Sequence, residues 1–139
     1  MTTGIVGTNA RQDPRQVVNT LKKTFNYNDA GIATGSPFAN PLPMNAFIEN
    51  VLTEIVQAFN AGTTNPITVG TVGPAYSNIV ASADNTPGTP GVYPSTIGRG
   101  RSLTAASDVL PYVKYVPTGT APTTGQGIVV IFYEGGFLS

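Results

Sequence analysis

The chain has 139 residues, room for one ordinary domain, with seven basic and seven acidic residues and a formal net charge of zero. Charged residues are 10% of the total, against about 25% in a typical soluble protein. Cys, His and Trp are absent, which removes disulfides, thiolate chemistry, Cys-ligated metals and the usual general base. A neutral chain lacks the cationic excess that nucleic acid requires, so no direct nucleic-acid partner is expected. Its longest apolar runs, such as 128–133, are too short to span a bilayer, so no membrane partner is expected either. The opening Met-Thr-Thr-Gly-Ile-Val-Gly has neither a basic nor an apolar leader region and does not read as a signal peptide. With apolar residues at 40%, wholesale disorder is rejected. So little surface charge suits a protein buried in a larger assembly.

Short apolar or β-branched segments separated by Gly, Pro, Asn and Thr predict an all-β fold. Residues 1–19 carry Gly4, Gly7 and Pro14 with little periodicity and read as an irregular N-terminal arm or lead-in. Residues 20–139 then form a single antiparallel β-sandwich domain. Residues 17–27 are a strand with Phe25 and Tyr27 on one face, and 28–31 a turn. In 47–59, Ile48, Val51, Leu52, Ile55 and Phe59 fall at helical spacing, whereas an extended reading needs a bulge to align them. The all-β surroundings favour the strand. Residues 60–65 turn, 67–69 and 76–83 are strands, and 85–95 is a Pro-rich surface loop. The segment 99–105 is a short edge strand or a turn. In 110–116, Tyr112, Lys114 and Val116 share one face and Val113 and Tyr115 the other. After a turn at 118–125, the unbroken apolar run 128–133 reads as a central strand covered on both faces.

No catalytic constellation emerges. Glu49 and Glu54 are the only close carboxylates in sequence, and they read as two solvated polar positions. Asp84-Asn85 and Asn28-Asp29 suit turns better than calcium. Ser and Thr have no His to activate them, and neither a G-x-S-x-G elbow nor an S-x-x-K motif occurs. Gly98-Arg-Gly-Arg101 lacks the Lys-Ser/Thr ending of a phosphate loop. The chain is therefore not expected to be an enzyme, and no cofactor or metal is expected. Partner contact is the remaining role. Arg99 and Arg101 flank Gly100, and in an extended segment both would point the same way and could take carboxylates bidentately; a solvated edge is the rival reading. Arg11 and Arg15 are further candidates, as are Phe137 and Leu138, whose apolar side chains at a terminus suit an interface.

Several segments resemble a family of small structural proteins of tailed bacteriophages. They are 24–35, the run Glu54-Ile-Val-Gln-Ala-Phe-Asn-Ala-Gly-Thr63 with Pro66-Ile-Thr-Val-Gly70, then Gly100-Arg-Ser-Leu-Thr-Ala-Ala-Ser-Asp108, and 125–136. Together they cover most of the chain from about residue 20, and residues 1–19 show no match. The resemblance implies a jelly-roll-like β-sandwich, commonly a homotrimer, that decorates or cements the outside of an icosahedral head. Its partners would be the major capsid protein and further copies of itself. The implied location is the capsid exterior, after synthesis in the host cytoplasm. The alternative is a tail-fibre or baseplate adhesin module that grips a host receptor through loop 85–95.

Overall fold

The structure is a computed structural model in which residues 18–103 and 105–135 are described. The described residues form eight strands, with burial that largely alternates in the longer ones: β1 (Asn19–Asn26), β2 (Ser36–Pro37), β3 (Phe47–Gln57), β4 (Ile67–Gly70), β5 (Gly91–Pro94), β6 (Arg101–Ser102), β7 (Tyr112–Tyr115) and β8 (Gln126–Glu134). One 3-10 turn, Ser82–Asp84, lies between β4 and β5, and no α-helix occurs among the described residues. The large sheet has the order β1-β8-β3-β5, with β6 also paired to β3; the small sheet has the order β2-β7-β4. All pairings are antiparallel.

The two sheets bury one face each in a shared core. Leu21, Phe25, Val51, Ile55, Val129 and Ile131 from the large sheet meet Ile67, Val69, Val113 and Tyr115 from the small one. This is the sandwich that alternation predicts, since removing one face of each sheet from water is the main stabilising term. The expected arm falls almost wholly outside the described residues. The packing explains a small-residue position in β8. A Cβ on Gly127 would sit 2.6 Å from Phe25 Cζ, so Gly is required where that ring crosses the strand.

The segment 47–59 is a strand, and its helix-like spacing records two bulges. Against β8, Ile48 pairs with Tyr133 and Asn50 with Phe132, leaving Glu49 as an extra residue. The insertion flips the alternation, so Ile48 and Val51, three apart, both face the core with no exposed surface. The Asn50 side chain closes the irregularity by accepting the Val51 backbone N–H at 2.9 Å. A second shift falls between Ile55 and Gln57, after which Phe59 returns to the core.

Three other expectations are corrected. Residues 76–83 form no strand: Tyr76 has φ 47° and stacks on Tyr112, and only Val80 bridges to Val69. Side chains make this a loop, because Asn78 accepts the Thr71 N–H and Asp84 accepts the Ala81 N–H. The segment 85–95 is not all loop, since β5 pairs its last residues with β3 at the sheet edge, where Pro is tolerated. Finally, among the described residues β8 is covered on one face only. Val129 and Ile131 are buried, but Ile128, Val130 and Phe132 are half-buried on the other side, where no second layer of strands lies among the described residues.

Thr53 sits on the core face of β3, 1% exposed, and its hydroxyl meets no partner. A buried unpaired hydroxyl costs more than a methyl of the same shape. Thr53→Val is therefore expected to raise unfolding free energy by about 1 kcal/mol, read as a higher urea midpoint at unchanged slope.

Candidate interaction surface

The outer face of the large sheet is organised in cross-strand rows. Register places Lys22, Val130, Leu52 and Pro94 in one row, and Thr24, Ile128, Glu54 and Val92 in the next. Apolar groups occupy β8 and the β5 side, Glu54 interrupts them on β3, and β1 contributes polar ones. Val56 and Val92 stand out at 45% and 58% exposure. Sequence reading missed this surface, although the odd members of 128–133 being core-bound already required the even ones to face elsewhere.

The expected arginine pair is not extended. Arg99 and Gly100 form a turn, with Gly100 at φ 65°, and only Arg101 enters β6. Left-handed backbone at Gly100 breaks the alternation that would have aligned the two guanidiniums. Arg101 donates to the Asn78 carbonyl, while Arg99 borders a 290 Å³ hollow with Pro94, Ser95 and Thr96. Both arginines are exposed. Arg11, Arg15, Phe137 and Leu138 lie outside the described residues.

The carboxylates are distributed differently from their sequence spacing. Glu54 is exposed on the outer face, while the bulge residue Glu49 lies beside Glu134 at the end of β8. The hydrogen bond with Glu49 pushes the Glu134 carboxyl above its ordinary 4.5, with burial and repulsion from Glu49 adding to it. Because the folded value is raised, stability is fullest below the unfolded value near 4.5 and is lost as pH rises through the folded one. Glu134→Gln is expected to flatten that decline and raise the melting temperature at pH 7, as measured by calorimetry from pH 4 to 8. Asp84 shows the opposite balance. Burial alone would raise its pKa, but hydrogen bonds from Thr96, Ala81 and Ser95 hold it below the ordinary carboxylate value. Asp29 accepts the Asn26 N–H at 2.9 Å, so both candidate calcium sites serve turns.

A hollow of about 440 Å³ beside the small sheet is lined by Thr68, Ala75, Ser77, Lys114 and Val116 among others. The Lys114 ammonium donates to the Pro74 carbonyl there at 2.8 Å. No carboxylate lines this hollow, and among the described residues no three acidic side chains gather to hold a metal. The hollow offers contact area and hydrogen bonds.

No protein-family model matches the chain, and no curated protein matches it. Solved structures do. A chain in the cyanophage Pam1 capsid asymmetric unit superposes with a TM-score of 0.61 at 20% identity, over 85% of this chain and 84% of that one. A chain in the acidic stable capsid structure of Helicobacter pylori bacteriophage KHP30 gives 0.61 at 16% identity, over 86% and 88%. At these identities the likeness is one of fold. The all-β architecture, built from antiparallel sheets, is shared nearly end to end with chains found in phage capsids.

Proposed function

We propose that the chain is a structural virion protein that decorates and cements the outer surface of an icosahedral phage head. The supporting observation is its fold likeness, over more than four fifths of both chains, to components of two phage capsids. A protein at a junction between capsid subunits must supply rigid area. This chain offers a stiff β-sandwich, Pro-rich loops that lower the entropy lost on folding, and an outer sheet face with exposed Val56 and Val92. It works by binding, with no bond made or broken. Its partners in this reading are the major capsid protein and further copies of itself, as a homotrimer on the capsid exterior.

A density map of the intact particle, with copy number from quantitative mass spectrometry, tests the reading. Hundreds of copies on the outer shell are expected, and heads lacking the protein should open at lower temperature. A few dozen copies confined to the tail would replace decoration with the adhesin alternative. Absence from the particle would end both.

A further inference from the structure

The edges of the two sheets are guarded unequally. β5 has four residues, follows Pro90 and ends in Pro94; β2 has two residues and ends in Pro37; Val80 bridges to Val69 of β4. Short length, proline and cover are the usual protections of an edge. β1, with eight residues and no proline, has only Lys22 and Lys23 to guard it, and among the described residues no strand covers it.

Its open side can be read from the hydrogen bonds at one end. Asn26 donates its N–H to Asp29 Oδ2 at 2.9 Å and accepts the Asp29 N–H at 3.2 Å, so both its backbone groups point away from β8. Tyr27 donates to the Gly125 carbonyl at 3.0 Å and points toward β8. Alternation then directs the N–H and C=O of Thr24, Lys22 and Thr20 outward. Among the described residues no strand pairs with that side. Asp29 stops the ladder at Asn26, leaving three donors and three acceptors in line.

Charge selects the occupant. β1 carries Lys22 and Lys23 and no carboxylate, and Lys22 is the exposed middle residue of the open three. Pairing two copies about a two-fold axis at Lys22 would set like charges directly opposite, which destabilises a ladder. We infer that the open edge of β1 takes up an extended segment of a different protein as a sixth strand of the large sheet, with an Asp or Glu opposite Lys22. Main-chain bonds supply the affinity and the lysine supplies the choice.

The test uses the full chain, 15N-labelled, and two capped heptapeptides of alternating Thr and Val, one with a central Glu and one with a central Lys. The Glu peptide at millimolar concentration is expected to slow amide exchange at Thr20, Lys22 and Thr24 about tenfold more than the Lys peptide, a single good charge pair's discrimination. Thr24→Pro should abolish the effect, because its N–H points outward and no bond to β8 is lost. Lys22→Glu should reverse the peptide preference, and it tests the idea even if the proline variant folds poorly. Equal slowing by both peptides, no slowing, or amides already protected in the free chain would overturn the inference. No phage head enters the assay, so its failure leaves the capsid reading standing.

Discussion

Phe59→Ala is expected to cost about 3–5 kcal/mol of unfolding free energy, lowering the melting temperature by roughly 10–20 °C. Phe59 is 1% exposed and lies just beyond β3, where a chain leaving a sheet would ordinarily be wet. Its ring stacks on Phe25 of the large sheet at 5.9 Å and meets Tyr115 of the small sheet at 4.9 Å, so it ties the two layers at one end. The neighbours cannot collapse into the space it would leave. Tyr115 is held by its hydroxyl, which donates to Asn65 Oδ1 at 2.7 Å. Phe25 is braced against Gly127, and the Phe59 backbone N–H is tied to the Pro87 carbonyl at 2.9 Å. A residual cavity is therefore expected on top of the transfer cost. Denaturant titration should show a lower midpoint at unchanged slope, and Phe59→Leu should cost less than half as much. A loss below about 1 kcal/mol would mean the aromatic bridge contributes little.

Deleting Glu49 should by contrast be tolerated, at a cost of about 1 kcal/mol, although it removes a residue from within a strand. Without it, β3 and β8 would pair without a shift, and Ile48 would stay opposite Tyr133 on the core face, two residues from Val51 instead of three. β6 would keep its place, because Ile48 and Phe47 remain opposite Arg101 and Ser102. The control is Glu49→Ala, which keeps the extra residue and removes the hydrogen bond and the repulsion between the two carboxyl groups; it should also be close to neutral. Comparing deletion with substitution separates backbone register from side-chain chemistry. A loss above about 3 kcal/mol on deletion would show that the core face of β3 depends on the extra residue.

These residues also show what a linear reading recovers. The alternation in 112–115 and the apolar run in 128–133 identify strands directly, because period-two burial is local. The spacing from Ile48 to Phe59 misleads toward a helix, since one inserted residue converts i, i+2 into i, i+3 and only the opposite strand reveals it. Residues 76–83 mislead the other way, with β-formers in a segment whose backbone is claimed by Asn78 and Asp84. At the surface, Gly100 undoes the arginine pair by a single positive φ. The meeting of Glu49 with Glu134 depends on which strands become neighbours, and no local pattern carries that. Arg11, Arg15, Phe137 and Leu138 lie outside the described residues, and their proposed role in contact stands on the sequence alone.

The prolines around β5 have a consequence for crowding. A sheet that is sealed along one border and, among the described residues, unpaired along the other cannot thread copy after copy into a filament, because each molecule offers a socket without a matching plug. A weakly charged chain packed at high local density would otherwise be prone to that fate.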